Sequence, residues 1–187
     1  MKLRGQNVFL KFLELSDAEA LLRLELKNRD FFQRYTALRD DDFYTLEGQR
    51  DRIRKNNELK NLDRLYSFGI YLLETGELIG NITLSEVVRG ALQSGWIGYA
   101  LDQDHNGKGY MTEAVRLVVS YAFDVLRLHR IEAGVMPHNL ASIKVLEKAG
   151  FHQEGIAKKN VKINGRWEDH QILAIINEKE EETEMKA

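Results

Sequence analysis

The chain has no cysteine. That excludes disulfides, a thiol nucleophile and thiolate metal sites, and it suits a reducing compartment. Proline is nearly missing as well: Pro137 is the single one among 187 residues, so no proline-rich linker divides the chain. No apolar run approaches the roughly 18 residues of a membrane span. The N-terminal MKLRGQNVFL lacks the apolar centre of a secretory signal. Neither sign of charge dominates, since 27 Lys and Arg meet 29 Asp and Glu for a net charge of −2. Without a basic stripe, no direct nucleic-acid binding is expected. His105, His129, His138, His152 and His170 show no metal-ligand spacing, and no metal is assigned. These absences predict a soluble, cytoplasmic chain with no membrane partner.

What is present reads as one α/β domain over residues 1–177, followed by a charged, frayed tail at 178–187. The 43% hydrophobic content is ample for a single core. VFLKFLEL is a first strand. SDAEALLRLELKN follows as a helix, with Ser16 as N-cap and Glu19 at the capping-box spacing. RDFFQRYTALRDDDFY has no clean period and predicts a short helix and a loop. Its aromatics Phe31, Phe32, Tyr35, Phe43 and Tyr44 either form a satellite core or line a substrate entrance. TLEGQRDRIRKNNELKN is a polar helix with a solvated charged face.

From Leu65 onward the pattern changes to strands. LYSFGIYLL and LIGNITLSEVV are joined by the turn sequence ETGE as an antiparallel hairpin, and SGWIGYAL is a further strand. YMTEAVRLVVSYAFDVL places Ala114, Val115, Val118, Val119, Ala122 and Val125 at helical spacing. HRIEAGVM is a strand. NLASIKVLEKAGF is a helix with Asn139 at its N-cap and Gly150 past its end. The remainder is a hairpin turned by Asn164-Gly165.

The stretch DHNGKGYMTEAV joins a strand to a helix through two glycines. It fits neither the Walker loop nor the dinucleotide fingerprint. A strand–glycine–helix junction still offers unpaired amides and the positive end of a helix dipole to an anion. A plain turn explains the same residues. VMPHNLASIKVLEKAGF repeats the strand-to-helix layout, and two such units can form a cleft where strands part.

Together, NGKGYMTEA and HRIEAGVMPHNLASIKVLEKAGFHQEG resemble the GNAT superfamily of acetyl-CoA-dependent N-acetyltransferases. SEVVRGALQSGWIGYALDQDHNGKGYMTEA, INGRWEDH and NRDFFQRYTALRDD are similar to its ribosomal-protein-alanine N-acetyltransferase branch. The resemblance spans roughly residues 7–176 and implies a GNAT fold: a mixed, mostly antiparallel central sheet flanked by helices. The implied sheet is splayed between the strand ahead of the cofactor loop and the strand after the following helix.

The resemblance also implies acetyl-CoA as co-substrate. The loop Asn106, Gly107, Lys108, Gly109, Tyr110 and Met111, with Thr112, would grip its pyrophosphate through backbone amides. Asn106 replaces the family's Gln or Arg, Met111 replaces a smaller residue, and Gly109 is expected to tolerate substitution least. Tyr99, Ala100 and Leu101 would pair with pantetheine through their main chains. Asn139 and Ser142 match the N-x-x-S motif: Asn139 as a contact to the pantetheine arm, Ser142 as the acid for the departing thiolate. Read without the resemblance, Asn139 is a helix cap, Ser142 an ordinary helix residue and Lys108 a solvated charge. Glu86 and Glu132 are candidates to orient or deprotonate the amine. Val161 stands where some relatives carry a glutamate, which leaves the base open.

An activated thioester needs no covalent enzyme intermediate, in keeping with the missing cysteine. Holding a lysine neutral costs about 3 kcal/mol more than an α-amine. The expected activity is therefore acetylation of a protein's N-terminal amine, that of a ribosomal protein starting with alanine or serine. The alternatives are a polyamine, amino-acid or antibiotic acetyltransferase, and a ribosome-assembly factor with incidental acetylation. Monomer and homodimer both remain open.

Overall fold

The computed structural model describes residues 1–179. Eight strands form one sheet: β1 Lys2–Arg4, β2 Val8–Phe12, β3 Tyr66–Leu72, β4 Leu78–Val88, β5 Ser94–Leu101, β6 Arg130–Val135, β7 His152–Ile163 and β8 Arg166–Ile176. Their order is β1-β2-β3-β4-β5-β6-β8-β7. Every neighbouring pair is antiparallel except β5 with β6. The helices are α1 Ala18–Lys27, α2 Arg29–Gln33, α3 Leu46–Asn61, α4 Tyr110–Ser120 and α5 Leu140–Lys148.

The helices cover the sheet in two groups because their apolar stripes differ in position. Ala114, Val115 and Val118 of α4, with Ile143 and Leu146 of α5, close over Phe68, Ile82, Ile97 and Ile131 to form the main core. Leu21 and Leu24 of α1 and Ile53 of α3 form a second core on Tyr71 and Leu78. α3 is as polar as its sequence suggests, yet Gln49 is fully buried and donates to the Phe43 carbonyl at 2.6 Å. The final turn has Asn164 at φ 47° and Gly165 at φ 81°. Two left-handed residues in succession match the twist of a hairpin, and Asn-Gly adopts them at little cost.

Three sequence expectations are corrected. Ser16 does not cap the first helix: a short 3-10 turn at Leu15–Asp17 precedes α1, and the reciprocal box runs between Glu14 and Asp17. Asp17 also binds Lys11 at 2.9 Å, so an ion pair to β2 decides where the helix begins. Val125 does not continue the buried stripe. A π turn at Tyr121–Val125 shifts the period and leaves it 61% exposed. β1 was not expected; it is an edge strand with only Leu3 packed against the core.

The feature that makes a site is the loss of pairing between β5 and β6. β5 stays on β4 as far as Leu101, but it pairs with β6 only where Ser94–Trp96 face Arg130–Glu132. Beyond Trp96 the two strands diverge. The β6-facing backbone edge of Gly98–Leu101 therefore has no strand beside it.

Candidate active site

A cleft of about 510 Å³ fills the open end of this splay. β5 and the loop to α4 form one wall, α5 a second, and Phe31, Phe32 and Tyr35 a third. Gly107 and Gly109 have φ of 77° and 80°. A Cβ on either would meet no heavy atom within 4 Å, so protein packing does not require these glycines. They supply left-handed backbone beside open space, the arrangement of a loop whose amides meet a ligand. The first intrahelical bond of α4 runs from Glu113 N–H to the Gly109 carbonyl at 3.1 Å. The amides of Tyr110, Met111 and Thr112 thus have no partner within the helix. Lys144 and Lys148 of α5 line the same cleft and make its rim cationic.

Eleven of the sequence-derived cofactor positions line this cleft: Tyr99, Ala100, Leu101, Asn106, Gly107, Gly109, Tyr110, Met111, Thr112, Asn139 and Ser142. Lys108 is exposed and does not. Glu86 is not brought to the cleft either. It lies where the β4–β5 register breaks between Ser85 and Val88, with φ 50° and an exposed side chain. Glu132 is held by Arg130 at 3.0 Å and lines neither the cleft nor the cavity beneath it. The aromatics divide: Phe31, Phe32 and Tyr35 face the cleft, whereas Arg29 stacks on Tyr44 and Arg39 on Phe43 elsewhere.

Asn139 and Ser142 are joined to each other by the helix cap, the Ser142 N–H donating to Asn139 Oδ1 at 3.3 Å. Sequence reasoning assigned Tyr99 through its backbone, and its hydroxyl was missed. That hydroxyl lies 2.8 Å from Ser142 Oγ. Burial pushes the Tyr99 phenol up to about 12, against the opposing effect of the Ser142 hydrogen bond. It therefore stays protonated and can donate to Ser142 Oγ, leaving the serine proton for an acceptor in the cleft. No pattern in the sequence signals this pair, because the partners lie on a strand and a helix 43 residues apart.

A second cavity of about 220 Å³ passes through the splay and shares Tyr35, Thr36, Tyr99, Asn139 and Ser142 with the cleft. Gly98, Gly134 and His170 line its far side. The Asn164 N–H donates to the Thr36 carbonyl at 2.9 Å, so the last hairpin closes over the loop that follows α2. Among the described residues no group of His, Asp and Glu side chains is placed to hold a metal ion, and no helix is long and apolar enough to cross a membrane.

The profile of a family described as Acetyltransferase (GNAT) domain matches residues 7–152. A Bacillus subtilis (strain 168) protein named probable N-acetyltransferase YjcK is 58% identical over 180 residues, 96% of this chain and 99% of its own. The ribosomal protein uS5-alanine N-acetyltransferase of Escherichia coli (strain K12) is 31% identical over 175 residues, 94% of this chain and 90% of its own. Among solved structures, Mycobacterium smegmatis RimJ in complex with CoA-disulfide has a TM-score of 0.88 at 31% identity, covering 92% of this chain and 83% of that one.

Proposed function

Since the chain belongs to the GNAT acetyltransferase family and acetyl-CoA is its co-substrate, we propose that it acetylates the N-terminal α-amine of a ribosomal protein beginning with alanine or serine. The observation that carries this reading is the shape of the acceptor side. The cavity beyond Tyr99 and Ser142 measures only about 220 Å³ and is bounded by the Tyr35–Thr36 segment. That volume suits one small residue with its amine. The relatives named for ribosomal-protein alanine acetylation support the same acceptor. An α-amine also needs less help to be neutral than a lysine, by about 3 kcal/mol.

Acetyl-CoA supplies an acyl group that is already activated, and the chain's task is to position, polarise and move protons. The amides of residues 107–112 would hold the pyrophosphate, with Lys144 and Lys148 nearby for the other phosphate charge. The unpaired edge of Tyr99–Leu101 would hydrogen-bond the pantetheine arm. Ser142 would give its proton to the departing sulfur and regain one from Tyr99, a route that needs no thiol and no metal. These assignments make Ser142 the acid and Tyr99 its proton source.

The test is mass spectrometry of unacetylated ribosomes after incubation with the protein and labelled acetyl-CoA. Label on the α-amine of one protein starting with alanine or serine is the expected result. Absence of label from every ribosomal protein, with acetyl-CoA still bound, would replace this acceptor by a small amine.

A further inference from the structure

We infer that His170 takes the proton from the acceptor amine, the role that neither Glu86 nor Glu132 is placed to fill. His170 sits on β8 and is only 6% exposed. Its ring lies on the sheet face opposite α4 and α5: a Cβ on Gly134 would be 3.7 Å from His170 Cβ, from its Cδ2 and from the Trp96 ring. Tyr99 and Ser142 are on the α5 side. The splay opens a passage between the two faces, and the 220 Å³ cavity within it is lined by His170 at one end and by Tyr99 and Ser142 at the other. On the proposed reading, His170 and the Tyr99–Ser142 pair thus border the gap in which acetyl transfer takes place.

The ring's tautomer is set by its neighbours. His170 Nδ1 is 3.1 Å from the Glu168 carbonyl oxygen and 2.8 Å from Asn160 Oδ1. A carbonyl only accepts, so Nδ1 carries the proton and Nε2 holds the lone pair. Both hydrogen bonds of the ring are made through Nδ1.

The strand beside it is distorted to supply Asn160. Ala157 pairs with His170 and Val161 with Glu168, so β7 advances four residues while β8 advances two. Within that bulge Lys159 has φ 45°, and its N–H donates to Asp169 at 2.8 Å. Bulges re-aim side chains, and left-handed non-glycine residues persist where surrounding structure holds them. Here the bulge turns Asn160 onto the ring, which makes it a positioning residue.

In the step itself, the amine nitrogen bonds the acetyl carbon and its proton passes to Nε2. The carbon–sulfur bond breaks with its electron pair left on sulfur, which takes the Ser142 proton. His170 then releases its proton to solvent and the Tyr99–Ser142 pair recovers one, leaving an amide and a thiol. Tyr35 and Tyr99 are the other titratable groups lining the cavity. Arg130 and Glu132 lie farther along β6, bound to each other, while the Asp169 carboxylate accepts from the Lys159 backbone N–H in the bulge. Of these residue types, an imidazole is the one that changes charge between pH 5 and 8.

This inference rests on the acetyl-transfer reading but not on which amine accepts. The test uses the full chain, acetyl-CoA and a short peptide beginning with alanine. His170→Gln should lower kcat roughly 10²-fold or more, remove the acid limb of the kcat/KM pH profile and leave acetyl-CoA affinity unchanged by calorimetry. Asn160→Ala should lower kcat less and keep the acid limb. A His170→Gln enzyme with wild-type kcat and an intact acid limb would overturn the assignment. Should the wild type not acetylate the peptide, or the variant not fold, long-range proton–nitrogen NMR of the wild-type His170 ring decides. A proton on Nδ1 with Nε2 unprotonated sustains the role, and a proton on Nε2 in the neutral ring sinks it. Failure of the peptide alone counts against the proposed acceptor.

Discussion

Tyr99 serves two purposes at once. Its main chain lies in the stretch of β5 that still pairs with β4 but no longer with β6, and its hydroxyl reaches Ser142 Oγ at 2.8 Å. Burial holds the phenol protonated, and on the proposed assignment the pair acts as one donor chain. Residues that act as a unit are non-additive on mutation. Tyr99→Phe and Ser142→Ala should each lower kcat roughly 10-fold or more with little change in acetyl-CoA affinity. The double variant should be no slower than Ser142→Ala alone. Steady-state kinetics on the three proteins check this, and fully multiplicative losses would mean that the two hydroxyls act separately.

At the scale of elements, α4 is pinned at its N-terminal end. Its first turn begins on the two-glycine loop and presents Glu113 to the chain between β1 and β2. Asn7 donates to this carboxylate through its N–H at 2.9 Å and its side-chain amide at 3.1 Å, and the Val8 N–H adds a third bond at 3.3 Å. The approach is close enough that a Cβ on Gly5 would collide with Glu113 Oε1. Burial alone would push the Glu113 carboxyl up, but the bonds from Asn7 and Val8 outweigh it and hold it below the ordinary glutamate range. The sign follows: a folded-state value below the unfolded one adds stability above the unfolded value, and that stability disappears as pH falls through the folded one. Glu113→Gln should cost about 1–2 kcal/mol at neutral pH. Urea unfolding should show the gap to wild type closing as pH falls from roughly 5 to 3. A gap independent of pH would mean that the carboxylate charge is not what holds the loop.

For the whole molecule, the sheet is two plates with a narrow hinge. β1–β5 and β6–β8 share three paired residues on each side, Ser94–Trp96 with Arg130–Glu132. α4 and α5 span the seam through the main core. A ligand that fills the splay supplies the hydrogen bonds the two strands do not give each other, and it binds only the folded chain. At a hundred times its Kd, such a ligand adds about 2.7 kcal/mol. For a domain of this size that is roughly 5–10 °C in Tm. Acetyl-CoA should produce this shift in a thermal melt, whereas pantetheine, which lacks the pyrophosphate, should produce less at equal concentration. Equal shifts would remove the phosphate loop from the binding account.

By itself the sequence determined most elements, because period and punctuation are local. Gly107 and Gly109 ahead of an amphipathic run, Asn139 three residues before Ser142, and Asn164-Gly165 between alternating strands each carry their geometry in adjacent residues. The same locality explains the errors: Ser16 lost the cap to a turn shaped by the Lys11–Asp17 pair, and Val125 left the core because a π turn changed the period. Glu86 and Glu132 were plausible only by proximity along strands; a register break turned one outward and Arg130 claimed the other. Tertiary structure alone decided that Tyr99 meets Ser142, that β5 parts from β6 after Trp96, and that a bulge in β7 orients His170. Those features depend on contacts between residues far apart in the chain, and neither helical period nor strand alternation encodes which distant side chain will lie across a gap.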